Sequence, residues 1–215
     1  MRHRRPAPPA RDRARPPEER SLTAGPRFIG SFPRADVVLD PPLPEIALVG
    51  RSNVGKSSLL NALAGTGIAR TSATPGKTRM LNVFQMTDVL SVAYYLLDLP
   101  GYGYSRASHV DRRAFRLLIT HALNRPRLTG VLWLLDVRHE PSTDDHAMQE
   151  LFADRDTRVL AAFTKSDKLS RAERQRREGE LGKNLGLDKD QVVVTSAREG
   201  GGIGELRDAV RRLVG

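Results

Sequence analysis

The sequence predicts an α/β domain with a mostly parallel six-stranded sheet, one antiparallel strand and helices on both faces. Three observations predict it. Short apolar runs alternate with helix-patterned segments from residue 45 onward. Two strand-like runs, Leu81 to Thr87 and Ser91 to Leu97, lie close enough around Asp88 to form a hairpin, which supplies the antiparallel strand. A glycine-rich turn, Gly50 to Ser57, stands between an apolar run and a helical one.

The elements follow in order. Residues 1–26 are rich in arginine and proline and nearly devoid of apolar side chains. They bury too little surface to offset the entropy of ordering, so a disordered basic tail is expected, with the domain spanning 27–215 and order beginning near Phe28. Pro41, Pro42 and Pro44 hold the chain extended into the first core strand, Glu45 to Val49. A helix follows from Gly55 to Leu63, then the hairpin, then a helix from Asp111 to Leu123. Val131 to Leu135 reads as a buried strand. Ser142, three residues before Asp145, reads as a helix N-cap. Val159 to Phe163 is a strand, Arg171 to Leu185 a charged, exposed helix, and Val192 to Val194 a strand. Ile203, Leu206, Val210 and Leu213 share one face of a last helix, Gly202 to Leu213.

Composition excludes several classes. The chain has 215 residues and no cysteine, so disulfides and thiolate metal sites are ruled out. His139 and His146 have no third ligand at zinc-site spacing. Apolar runs such as Val131 to Leu135 are far too short to span a bilayer, and no apolar segment follows the basic start, so a soluble cytoplasmic protein is expected. The net charge of +10 favours a polyanionic partner, nucleic acid first. The arginines of the tail either touch such a partner or merely solvate the chain.

The chemistry lies at the ends of the predicted strands. Gly50-Arg51-Ser52-Asn53-Val54-Gly55-Lys56-Ser57 fits G-x-x-x-x-G-K-[ST] in a strand–turn–helix context. Its glycines let backbone N–H groups wrap a phosphate, and the helix presents its positive end to the same anion. Lys56 is expected to reach the β- and γ-phosphates, and the Ser57 hydroxyl to ligate Mg²⁺. Asp98-Leu99-Pro100-Gly101 ends another strand, with Asp98 placed to hold Mg²⁺ through water and the Gly101 N–H to sense a γ-phosphate. Thr164-Lys165-Ser166-Asp167 ends a third. The Asp167 carboxylate accepts two hydrogen bonds from guanine N1–H and its 2-amino group, which adenine lacks, and the Lys165 stem can lie over the base. Thr195-Ser196-Ala197 follows the last strand and offers backbone N–H groups to guanine O6. Four motifs in this order define a GTP or GDP site at the C-terminal edge of a parallel sheet. With these motifs the chain resembles the translation-factor-related class of small GTPases.

The resemblance is narrower still. From about Phe28 onward the chain resembles the EngB (YsxC-like) family of bacterial ribosome-assembly GTPases. The residues that carry it are Pro44-Glu45-Ile46-Ala47, the phosphate loop with Ser58, Thr74-Pro75-Gly76-Lys77-Thr78, Asp98 to Tyr104, and Asp136-Val137-Arg138-His139. The resemblance implies a three-layer P-loop GTPase fold, GTP hydrolysis and a monomer. It implies that Gly76, Lys77, Thr78, Arg79 and Met80 surround the phosphates, with Thr78 the switch threonine that ligates Mg²⁺. Thr74 competes for that role. It implies Thr164 where asparagine is commoner in the guanine motif. It also implies work on the large ribosomal subunit or its precursor rRNA, with no DNA sequence readout, and a part in cell division and septation. The basic tail, the segment Tyr104 to His109 and Phe115, where tryptophan is usual, depart from the family pattern.

Hydrolysis needs an oriented water. Tyr102 stands where related proteins carry glutamine and cannot orient water as an amide does, so slow intrinsic turnover is expected. In related GTPases an asparagine at the place of Asn53 ligates K⁺, which acts where an arginine finger would. Lys56, Thr78, Gly101 and Asn53 are thus the catalytic candidates. The alternative is an RNA-binding assembly factor in which GTP sets conformation and hydrolysis is incidental.

Overall fold

The computed structural model describes residues 25–70, 80–87, 90–103 and 109–215, without the side chains of 109–111. Its seven strands are β1 (Arg27–Phe32), β2 (Glu45–Gly50), β3 (Leu81–Thr87), β4 (Ala93–Asp98), β5 (Leu128–Asp136), β6 (Val159–Thr164) and β7 (Val192–Val194). Five helices accompany them among the described residues: α1 (Lys56–Ala64), α2 (His109–Leu123), α3 (Thr143–Ala153), α4 (Arg171–Asn184) and α5 (Ile203–Val214).

The strands form one sheet in the order β1-β3-β4-β2-β5-β6-β7. β3 pairs antiparallel with both β1 and β4, and the remaining pairs are parallel. One strand therefore runs against the rest, as the hairpin predicts, but the sheet has seven strands rather than six. The additional one, β1, is an edge strand with a register shift between Phe28 and Gly30 and mostly exposed residues. Half-exposed edge strands carry little hydrophobic alternation, which is why the sequence shows only an onset of order there. Phe28 packs on Phe84 with ring centroids 5.2 Å apart.

The period of two along each inner strand splits the core. Ala47, Val49, Val131, Trp133 and Leu135 face one cluster, which α2, α3 and α4 close with Ile119, Phe152 and Leu181. Ile46, Leu48, Leu132 and Leu134 face the other, which α1 and α5 close with Leu59, Leu60, Leu206 and Val210. The result is three layers. Every residue of β2 is buried. The α4 helix is exposed over most of its length, as expected, but buries Arg177, Leu181 and Gly182. The Arg177 guanidinium donates to the Val137 carbonyl and pairs with Glu140 and Glu180, so it fixes the loop after β5.

The segment before β2 is held by one buried ion pair. Arg125, just beyond α2, bonds Glu45 through both carboxylate oxygens, at 2.5 and 2.7 Å, and donates to the carbonyls of Ala35 and Val37. Removing one member strands the other charge in the core. Arg125→Ala should lower unfolding stability by about 3–5 kcal/mol in urea titrations, and a loss under about 1 kcal/mol would contradict the assignment.

Candidate nucleotide site

The C-terminal ends of β2, β4, β5, β6 and β7 deliver the predicted motifs to one edge of the sheet. The loop from Gly50 to Ser57 leaves β2 and enters α1. Its anchor is Val54, buried in the core, while Arg51, Ser52 and Ser57 are half-buried and Asn53 and Ser58 exposed. Gly55 caps α1 with φ 109°, a conformation an L side chain rarely adopts. No side chain caps this helix, and its first turn holds no acidic residue. Its leading N–H groups thus lack the side-chain partner most helices supply, the arrangement that suits an anion.

Lys56 opens α1, and its ammonium reaches back to within 3.5 Å of the Gly50 carbonyl. Burial lowers its pKa, and the charge of Asp98 opposes the shift. Burial likewise raises Asp98, opposed by Lys56 and by a long 3.5 Å contact from the Asn82 amide. Asp98 Oδ1 is buried with no hydrogen-bond partner among the described residues. An orphaned carboxylate oxygen within the field of Lys56 suits a hydrated divalent cation, so Asp98 fits Mg²⁺.

The chain beyond Asp98 is stitched to the phosphate loop. The Leu99 N–H donates to the Leu48 carbonyl, Ser52 N–H to Tyr102 O at 2.9 Å, and Tyr102 N–H to Gly50 O at 3.3 Å. Pro100 and Gly101 cross between them. A Cβ on Gly101 would lie 2.8 Å from Ser52 Oγ and 2.9 Å from its Cα, so only glycine permits this approach.

Tyr102 is where the structure most sharpens the sequence reading. Its ring is buried and tilted against Phe115 at 6.2 Å. Its hydroxyl accepts from Trp133 Nε1 at 2.8 Å and donates to Asp145 Oδ1 at 2.7 Å. Burial first, then Asp145, push the phenol well above its ordinary pKa, so it stays a neutral donor. The second Asp145 oxygen accepts from the Ser142 amide and hydroxyl, completing the capping box of α3. The side chain in the glutamine position therefore serves as a core strut.

The guanine motif is equally well anchored. Thr164 ends β6 and donates its hydroxyl to Val54 O at 2.8 Å, with Leu135 O at 3.2 Å. Lys165 has φ 63°, and its ammonium lies 2.6 Å from Asn53 O and 3.0 Å from Asp136 Oδ2. Ser166 donates its N–H to Thr195 O. Asp167 accepts from the Ser196 hydroxyl at 2.9 Å. Burial would raise its pKa, but that bond and neighbouring donors outweigh it and hold it below the usual carboxylate range. Of the three amides expected to face guanine O6, Thr195 N–H is committed to Phe163 O and Ser196 N–H to Gly201 O. That leaves Ala197 as the donor of the three.

Sequence reasoning did not assign Asp136 to the site. It ends β5 and accepts two bonds from the Arg138 guanidinium, at 2.9 and 2.8 Å, besides the Arg138 amide and Lys165. Burial would raise its pKa, but these donors hold it at about 2. The adjacency of Asp136 and Arg138 after an apolar run was the available signal. A cavity of about 330 Å³ flanks the phosphate loop on this side, walled by Arg51, Asn53, Asp136, Arg138 and Lys165 but not by Lys56, Ser57 or Asp98.

Met80 is exposed immediately before β3. Thr74, Gly76, Lys77, Thr78 and Arg79 lie outside the described residues, as do the segment from Tyr104 and nearly all of the basic tail. Among the described residues no helix is long and apolar enough to cross a membrane, and no three histidine, aspartate or glutamate side chains gather as a metal site would require.

Comparison with known proteins agrees with the geometry. A family model described as a 50S ribosome-binding GTPase matches residues 45–165. A probable GTP-binding protein EngB of Gemmatimonas aurantiaca is 49% identical over 174 residues, which cover 80% of this chain and 83% of that protein. Its counterpart from Syntrophomonas wolfei is 41% identical over 174 residues, covering 80% and 88%. A crystal structure of a probable GTP-binding protein EngB superposes with a TM-score of 0.61 at 19% identity, over 79% of this chain and 98% of that one. Era in complex with MgGDPNP and nucleotides 1506–1542 of 16S ribosomal RNA gives 0.67 at 25% identity over 80% of this chain, which spans 56% of the Era chain.

Tyr102→Phe leaves the buried Trp133 N–H without its acceptor and Asp145 Oδ1 without its donor. It should reduce unfolding stability by about 2–3 kcal/mol in denaturant titrations, and a wild-type midpoint would contradict the strut.

Proposed function

Because this chain belongs to the EngB family of GTP-binding proteins and is a P-loop GTPase, we propose that it acts as a nucleotide switch on the large ribosomal subunit or its precursor. The observation that carries the nucleotide reading is the convergence of four loops, each anchored to the phosphate loop or to its neighbour, at one sheet edge. The ribosomal reading is supported by the family model, described as 50S ribosome-binding and matching residues 45–165, and by the net charge of +10. A role in cell division and septation rests on the family resemblance alone.

In this reading the N–H groups of Asn53 and of Gly55 to Ser58 wrap the phosphates, the Val54 N–H being committed to Arg51 O, and Lys56 neutralises the β- and γ-oxygens. Asp167 reads the guanine edge, Ala197 donates to O6, and the Lys165 stem lies along the base. Ser57 and Thr78 would hold Mg²⁺, with Asp98 through water. The ion would supply charge neutralisation to the transferring phosphoryl group. Gly101 offers its N–H to the γ-phosphate, and its neighbour Tyr102 carries that contact to α3 through Asp145. Since the Tyr102 hydroxyl is committed in the core, no side chain at that place orients the attacking water, which makes intrinsic turnover slow. Asn53 has φ 61°, and its carboxamide makes no hydrogen bond among the described residues. That amide is the candidate K⁺ ligand.

A second reading, an RNA-binding assembly factor with incidental hydrolysis, is favoured by the same commitment of Tyr102. Co-sedimentation with large subunits separates the two. The switch reading predicts binding with a non-hydrolysable GTP analogue that is at least tenfold weaker, order of magnitude, with GDP. Binding that ignores nucleotide state would favour the second reading. For the cation, GTP turnover should be faster in KCl than in NaCl at equal ionic strength, and equal rates would remove Asn53 from the catalytic set.

A further inference from the structure

We infer that Asp136 is a positioning residue for guanine-nucleotide binding, fixing Lys165 across the gap between the base-reading loop and the phosphate loop. The inference rests on the nucleotide reading above. Lys165 and Asn53 both adopt left-handed backbone conformations, with φ 63° and 61°. One ammonium joins them, donating to Asn53 O at 2.6 Å while pairing with Asp136 at 3.0 Å.

A lysine stem normally samples many rotamers, and an isolated surface ion pair holds it weakly. Here the anion is itself immobile. Asp136 is the last residue of β5, in register with Thr164 of β6. Its side chain is only 12% exposed, and Arg138 grips both of its oxygens. The held lysine then runs beside the start of α1, with Cε about 4.0 Å from where a Cβ on Gly55 would stand. Its apolar stem thus becomes a fixed surface next to the phosphate cradle. A nucleotide that spans both loops meets them at a preset separation and need not order the lysine on binding.

The clamp touches neither Asp98 nor Gly101, where the proposed switch senses a γ-phosphate, and it meets Asn53 through the backbone carbonyl and not through the carboxamide proposed to hold K⁺. Its loss should therefore fall on affinity, equally for GDP and GTP, and not on the rate of the saturated complex.

The test uses the full chain with Mg²⁺, fluorescent-nucleotide competition for Kd, and single-turnover hydrolysis at saturation. Asp136→Ala should raise Kd for GDP and GTP together, by about tenfold or more, with the single-turnover rate within about twofold of the parent. Asp136→Glu should recover part of the affinity. In a Lys165→Met background, which has no ammonium to position, Asp136→Ala should add nothing further. A purely architectural role for Asp136 would give additive losses in that cycle and overturn the inference. So would parental affinity in Asp136→Ala, or a loss confined to one nucleotide. If Asp136→Ala lowers the thermal midpoint, Asp136→Asn, which keeps an acceptor for Arg138, replaces it in the cycle: non-additive losses support the clamp and additive losses overturn it. Failure of the parent protein to bind GDP would instead overturn the nucleotide reading on which this rests.

Discussion

The site depends on the complete burial of β2. That strand is paired on both edges and covered on both faces, so Gly50 leaves the sheet from a fixed point and in a fixed direction. A loop anchored in this way can hold its backbone N–H groups inward without the entropic penalty of ordering them for each ligand. The Arg125–Glu45 pair secures the start of the strand, and Val54 secures the loop where α1 begins.

From that fixed loop the other motifs take their positions. Gly50 exchanges a backbone bond with Tyr102, Ser52 exchanges another, Asn53 receives Lys165 and Val54 receives Thr164. Each bond is worth only about 1 kcal/mol. Together they join the segment after β4 and the loop after β6 to a single stretch of five residues. The Tyr102–Trp133–Asp145 chain extends the same connection into the core and to α3. In the proposed switch, a change at Gly101 on gaining or losing a γ-phosphate would have a defined mechanical route to α3.

Much of this was legible in the sequence, and the rest was not for identifiable reasons. The phosphate loop was readable because glycines, a lysine and a serine at fixed spacing fell between an apolar run and a helix pattern. Ser142 and Asp145 announced a cap that the structure contains. β1 was not readable, since an edge strand with exposed residues and a bulge leaves no clean alternation. The partners of Tyr102 and Lys165 were hidden because they are distant in sequence, and only the sheet order brings Trp133, Asp145 and Asp136 beside them. Tyr102 could be read for what it lacks as a glutamine replacement, but its role as a strut needed the fold. The burial of Arg177 was masked by the charge of its own helix.

If the four loops form one guanine-nucleotide site, Asp167 is the residue that reads the base. The most direct measurement compares binding and turnover of GTP, xanthosine triphosphate and ATP by the parent and by Asp167→Asn. Exchanging the carboxylate for an amide replaces an acceptor with a donor, matching the 2-oxo group of xanthine instead of the 2-amino group of guanine. Preference should move from guanine to xanthine nucleotide while ATP stays excluded. An unchanged guanine preference in the variant, or ATP binding as well as GTP in the parent, would contradict a single site of this kind.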